Sequence, residues 1–405
     1  MDLKPRGYDK VVELIKKGVT VPNPFSLDIG DDVDVARIAG KDVTLHPGCR
    51  IHGAGTVISP GVELGVEAPV TLDGCRLGQG VELKGGYFKD SVFLEKAKMG
   101  SGAQVREGCL LEEEANGAHC VGLKQTILFP FVTLGSLINF CDCFIAGGVN
   151  RGNHSEVGSS YIHFNFTPDG DKATASLFGD VPRGVMLDQP PIFLGGQGGA
   201  VGPVRVGFGT VIAAGSILRR DIHEDGKLVA ADLPPDFVRD RHPFKYGGLT
   251  RTVRNNVVFL ANLAALEEWY KKVRRPFFAR QEMGELVYEG AMEVLALAKE
   301  ERLKRLQVMG EKVPGADPGS REFRERCVEL RRLFTTAFEL PDGQTFLTAF
   351  RAATVDVDVG YIETVQGLAP DISAVGVKWL KRIVETLCAK ADALLPTMDL
   401  FADKR

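Results

Sequence analysis

The chain has 405 residues, a formal net charge of −4 and a quarter of its residues charged. That length accommodates two or three ordinary domains, and the near balance of charge gives no electrostatic footprint for nucleic acid or an anionic membrane surface. No apolar run approaches the roughly 20 residues that cross a bilayer, and the charged, amphipathic segment from Met1 to Gly18 lacks a signal peptide's apolar middle, so the expected location is the cytoplasm.

Residues 1–30 read as a helical cap, with Val11, Val12, Leu14 and Ile15 supplying its apolar side. From 31 to 225 the sequence follows a different rule. In VGFGTVIAAGSILRRDI, Val206, Ile212 and Leu218 stand six apart, and Thr210 and Ser216 precede the last two by two places. The interval recurs at Leu45 and Ile51; Ile58, Leu64 and Val70; Leu77 and Leu83; Met99, Val105 and Leu111; Val121 and Ile127; Leu128 and Leu134. Six is neither the helical period nor the alternation of a half-buried strand. It is the period of a parallel β-helix, in which each short strand forms one side of a prism and three hexads complete a coil. Coils then stack about 4.8 Å apart. The 47 glycines crowd towards the first 215 residues, as tight corners require.

The eight cysteines do not read as a disulfide framework in a chain this long without a secretion signal. Cys49, Cys75 and Cys109 each precede an aliphatic residue by two places and read as small interior fillers. Cys141 and Cys143 share one strand face. With no second cysteine or histidine pair at metal spacing, no metal is expected.

Residues 226–249, with Leu233-Pro234-Pro235 and Tyr246-Gly247-Gly248, read as a linker. From 250 to 405 the pattern is helical. Phe259, Leu263, Leu266, Tyr270 and Val273 keep a 4-3-4-3 spacing that Pro276 ends, and Val377, Leu380, Val384 and Leu387 repeat it. Residues 285–309 and 321–338 are good helix formers too. The expectation is a mainly β plus α chain: a β-helix with an N-terminal helix and a separate C-terminal helical domain.

Four stretches carry a resemblance: IFLGGQGGAVGPVRVGFGTVIAAGSILRRDI (Ile192–Ile222), HFNFTPDGDKAT (His163–Thr174), VREG (Val105–Gly108) and GSLINFCD (Gly135–Asp142). They resemble the acetyltransferase domain of the bifunctional bacterial enzymes that make UDP-N-acetylglucosamine, which are hexapeptide-repeat acyltransferases. The resemblance implies a left-handed parallel β-helix, a homotrimer with sites between neighbouring prisms, acetyl-CoA as donor, and a sugar phosphate or nucleotide sugar as partner. Arg106 matches the arginine that holds the sugar phosphate, and Lys124 a lysine beside it. A guanidinium and an ammonium together suit a phosphate dianion. Asn165 matches an asparagine near the thioester, with Phe166 in place of its tyrosine neighbour. Lys172 matches the lysine of that loop, and Ala213 the alanine whose backbone meets the coenzyme.

Other positions depart from the pattern. Asn139 stands for a sugar-contacting tyrosine, Gly196 for a serine of the cofactor region, and the segment near Asp232 lacks the arginine expected for the coenzyme's phosphates. Ser136 occupies the place of the catalytic histidine. An amine attacking a thioester needs a base, and a serine hydroxyl alone does not serve.

The insertion Gly147–Ser160 carries Arg151, His154 and Glu156. His154 is either a displaced base oriented by Glu156 or a solvated loop histidine. His163 and Asn165 alternate along one strand, so His163 either lines the site or lies on plain surface. His119, in GAHCVG, reads as structural. The proline-bearing arm Gly179–Phe193 is expected to reach towards a neighbouring subunit. GGQGGAVG lacks the spacing and the strand–helix context of a dinucleotide fingerprint. Two readings stand: an acyl-CoA-dependent N- or O-acyltransferase, or a catalytically degenerate sugar-nucleotide-binding or scaffold protein.

Overall fold

A computed structural model describes residues 4–231, 235–238, 240–336, 340–354 and 359–402. The helix Tyr8–Lys17 buries Val11 and Leu14 against the first coil and ends at Gly18, whose φ of 109° is a left-handed value that glycine adopts freely. Its lysines close the open end of the solenoid. Lys10 Nζ donates to the carbonyls of Gly30, Asp31 and Val33 at 2.7–2.9 Å, and Lys17 Nζ to that of Val35 at 3.2 Å.

The strands that follow pair only in parallel, apart from one small hairpin, and fall into three sheets of ten, eight and ten strands. Chain order cycles through the sheets, so each circuit is one coil of a three-sided prism. This is the β-helix that the hexads predicted, and it is consistent with the left-handed form. Every hexad aliphatic named above is at most 3% exposed, but Ile127 is buried on the outside of its strand, where Leu128 takes the inward place. The last strand, Leu228–Val229, pairs with Val211–Ile212, so the solenoid runs past residue 225. Cys49, Cys75 and Cys109 lie inside as fillers, and burial pushes the Cys75 and Cys109 thiols up to about 12.

The three faces differ on the outside. One face, the flank, carries polar–apolar strands such as Thr44–Leu45, Glu63–Leu64, Glu82–Leu83, Lys98–Met99 and Thr133–Leu134. A second face, built from Arg50–His52, Ala103–Val105, Gly122–Lys124 and Asn139–Cys141 among others, is open. The third reads apolar at both places in Val57–Ile58, Val92–Phe93, Leu110–Leu111 and Ile127–Leu128, while Arg76–Leu77 and Arg205–Val206 keep an arginine outside. A strand with two large apolar residues in a row is buried on both sides. Here the cover is the C-terminal half of the chain.

The helices Leu249–Trp269, Gly284–Lys312, Pro318–Thr335, Gln344–Thr354 and Pro370–Leu394 pack together, and the first two of them lie against strands of that third face. They are docked on the prism rather than separate from it. Arg274 pairs with Glu112 (2.9 Å) and Glu113, Tyr270 donates to Glu112 Oε1 at 2.5 Å, and Arg302 pairs with Asp142 at 2.5 Å. All of these side chains are buried. Burial pushes the Glu112 carboxyl up to about 7 against the pull of Arg274. The Gly179–Phe193 arm also folds onto these helices. Asn262 Oδ1 accepts from Val181 N–H, and Gln366 Nε2 donates to the Leu187 carbonyl, so the arm is spent within its own chain instead of reaching outward. Among the described residues no helix is long and apolar enough to cross a membrane, and no cluster of His, Cys, Asp or Glu is arranged to hold a metal.

Candidate active site

Register on the open face decides which side chains meet. Inward, the file runs Ile51, Leu72, Phe88, Val105 and Leu123. Outward, Asp73 pairs with Lys89 and Lys124 with Cys141, and Arg106 follows Val105 to stand between Lys89 and Lys124. In the next outward file Gln104, Gly122 and Asn139 are neighbours. Arg106, Lys124, Asn139, Cys120 and Cys141 therefore line one groove, brought together from three successive coils. Lys89 is paired to Asp73 at 3.1 Å, and Lys124 to Glu107 at 2.5 Å. Among the described residues the exposed Arg106 guanidinium has no carboxylate partner.

Lys172, in the loop that follows Phe164, does not line the groove, but its charge reaches Cys141. Burial pushes the Cys141 thiol up, Asp142 adds to that, and the charges of Arg106, Lys124 and Lys172 oppose it. One sulfur thus feels three cations. The loop is held from outside the prism: Lys312 Nζ donates to the Asp169 carbonyl at 2.6 Å, Tyr246 OH to Asp171 at 2.7 Å, and Asn256 Nδ2 to the Ala173 carbonyl at 3.0 Å. Asn165 is half-buried at the start of this loop, beside the exposed Phe166.

The edge between the flank and the open face carries a second column. His119, Ser136, Ser159 and Gly196 occupy equivalent corners of successive coils, and Ala213 lies in the next coil up. His119 Nδ1 and Ser136 Oγ are 3.0 Å apart, and Ser136 N–H donates to Ser159 Oγ at 3.1 Å. Gly196 fits because a Cβ there would stand 2.8 Å from the Ser159 carbonyl oxygen. Ala213 N–H is committed to the Val229 carbonyl at 2.8 Å, so only other atoms of that corner are left to meet a ligand. Asp232 lies outside the described residues.

The two histidines favoured by the sequence are elsewhere. His163 pairs with Ala200 and follows Ile162, the partner of Asn139, so it occupies an inward place in the aliphatic file. It is 3% exposed, with Nε2 2.6 Å from Ser176 Oγ, and burial lowers its pKa to about 4. It is neither site lining nor surface, and the strand ends at Phe164, so Asn165 lies beyond it and does not alternate with His163. His154 sits on the small hairpin Gly148–Asn150/Asn153–His154, between the covered face and the flank, one prism edge away from the groove. Its Nε2 is 3.9 Å from Glu156 Oε2, and the ring is half-buried. Arg151 clamps that hairpin by donating to the carbonyls of Glu114 (3.1 Å) and Phe131 (2.8 Å). The pair that sequence reasoning missed is His119 with Ser136. Its signal was the separation of 17 residues, about one coil, which stacks the two.

No family model matches the chain. It is 27% identical to the bifunctional protein GlmU of Thermotoga petrophila over 53% of this chain and 42% of that one. It is 28% identical to GlmU of Geotalea uraniireducens over 54% and 42%, and 29% identical to GlmU of Pelobacter propionicus over 52% and 40%. The chain thus spans about two fifths of the length of these curated relatives. A solved structure of LpxA from Acinetobacter baumannii aligns over 51% of this chain and 66% of that one, at 14% identity and a TM-score of 0.14, too loose a superposition to add to the fold. The hexads, the three-sided solenoid and the curated relatives fit the hexapeptide-repeat acyltransferases, close to GlmU.

Proposed function

We propose that the chain transfers an acyl group from an acyl-CoA, acetyl-CoA first among them, to a phosphorylated amino sugar or nucleotide sugar bound in the open-face groove. The observation that carries this is the groove in which Arg106 and Lys124 stand beside Cys141, with Asn139 one file away and the charge of Lys172 within reach. Cations clustered on an otherwise near-neutral protein suit a phosphate, and Arg106 is free to bind it bidentately. The edge column from Ser159 through Gly196 to Ala213 would carry the coenzyme.

In this proposal the protein is a cytoplasmic homotrimer. Ile162, Phe164 and Val201 on the open face, and Phe193, Val211 and Leu228 on the flank, are exposed apolar side chains of the upper coils. Contiguous exposed apolar surface marks an interaction site. The third face is already covered by helices, so a neighbouring prism would meet these two.

The test is incubation with acetyl-CoA and a panel of amino sugar phosphates and nucleotide amino sugars, following release of free thiol. Turnover that collapses in Arg106→Ala is expected. No thiol release across the panel would overturn the enzymatic reading. Ser136, in place of a basic residue, favours a second reading in which the groove binds a sugar nucleotide without transfer. Thermal stabilisation by a UDP-sugar, with none from coenzyme A, would select it.

A further inference from the structure

The edge column holds an imidazole where a base was lacking. His119 hangs from one coil and Ser136 from the next, about 4.8 Å away, yet their polar atoms meet at 3.0 Å, so the two side chains bridge the gap between coils. The corner is fixed from both sides. Ser136 N–H donates to Ser159 Oγ at 3.1 Å, and Leu137 N–H donates to the His119 carbonyl at 3.2 Å. His119 is exposed, unlike His163, and lies on the edge of the groove, unlike His154.

Ser136 precedes Asn139 by three residues and His119 precedes Lys124 by five, so the pair stands within about 10 and 17 Å of those groove residues along the chain. One ligand can touch both ends. The groove holds the anionic end, and the edge receives the reacting end.

Resting on the acyl-transfer reading, we infer that His119 is the general base of this site and Ser136 its positioning residue. With Nδ1–H donating to Ser136 Oγ, Nε2 keeps its lone pair. The acceptor nitrogen attacks the thioester carbonyl, its lone pair forms the C–N bond, and Nε2 takes the proton that nitrogen loses. The tetrahedral adduct then expels sulfur, the C–S electron pair going to the thiolate, and the imidazolium returns the proton to it. Amine and thioester become amide and thiol, and the histidine ends neutral.

The experiment has two parts, both on the full chain. In steady-state thiol release, His119→Asn is expected to lower kcat by about 10²–10⁴-fold, as removal of a general base does, with KM little changed. Ser136→Ala is expected to lower it about tenfold, the worth of one hydrogen bond, and Ser136→Thr to restore it. In nitrogen-15 NMR of the ring, His119 is expected as the Nδ1–H tautomer in the wild type and as a mixture in Ser136→Ala. Turnover retained by His119→Asn would overturn this inference alone, as would an Nε2–H tautomer. An acyl adduct on Ser136 seen by mass spectrometry would overturn it too, making serine the nucleophile. A wild-type chain that releases no thiol would remove the acyl-transfer reading, and the inference with it.

Discussion

The covered face and the open face are laid down by the same coils and share one aliphatic interior, yet their outer surfaces follow opposite rules. On the covered face Val57, Val92, Leu110, Ile127, Phe144 and Leu177 point outward and are at most 4% exposed, because helices lie on them. On the open face the outward residues are charged or polar through the middle coils and meet solvent. One face is a second core, each side chain contributing about 1.5–3 kcal/mol gross on full burial. The other is left free for chemistry. The β-helix makes this division possible, because inward packing stabilises each coil and frees two outward files per face for other uses.

The comparison can be broken most visibly at the seam. Arg274 is 1% exposed between Glu112 and Glu113, and Arg302 is 2% exposed against Asp142. Removing one partner of a buried pair strands the other charge. Arg274→Ala or Arg302→Ala should therefore each cost about 3–5 kcal/mol in urea denaturation. A loss under about 1 kcal/mol would mean that the helices do not sit on that face as described.

A middle-sized effect is expected inside the prism. His163 is buried neutral with a pKa lowered to about 4 from 6.5. Its unfolded form binds a proton that the folded form refuses, so its stabilising contribution is complete above pH 6.5 and is lost as pH falls from 6.5 through 4. The shift corresponds to about 3 kcal/mol at the acid end. Glu112 acts in the opposite sense, since its raised pKa makes stability fall as pH rises towards 7. Comparing His163→Leu with wild type cancels that second effect. Leucine restores the file's aliphatic rule, and the variant's denaturation midpoint relative to that of wild type should be higher at pH 5 than at pH 7. Equal pH dependence in the two proteins would count against a buried, neutral imidazole.

His163 also shows why the site was harder to read than the fold. The aliphatic hexads are a local pattern, so the solenoid could be counted from sequence alone. The covered face was equally written there, in paired apolar residues such as Leu110–Leu111 and Ile127–Leu128, but counting one residue in six passes over it. The Gly148–His154 hairpin interrupts the count before His163, and only ladder register shows the ring turning inward. The cationic groove was legible in part. Arg106, Lys124, Asn139 and Lys172 were named through a resemblance, while the meeting of the first three with Cys141 depends on coil-to-coil stacking. His119 and Ser136 are one coil apart, a distance visible only once the coil length is known.

The smallest expected change in stability is on the open face, and it sharpens the contrast most. Arg106 is exposed and unpaired among the described residues, and the Lys124–Glu107 pair is about one-third exposed on each side. A surface substitution of this kind shifts stability by about 0.5 kcal/mol or less, and an exposed ion pair is worth about 0–1 kcal/mol. Arg106→Ala should therefore leave the urea midpoint nearly unchanged. It should still weaken binding of a phosphorylated sugar about tenfold or more, since hydrogen bonds from a guanidinium to an anion are worth about 1.5–3 kcal/mol. Calorimetric titration with a UDP-sugar measures the second quantity independently of any turnover. A variant that loses stability but keeps affinity would mean that Arg106 supports the coil instead of the ligand. The open face would then be a plain surface, and the division of labour between the two faces would fail.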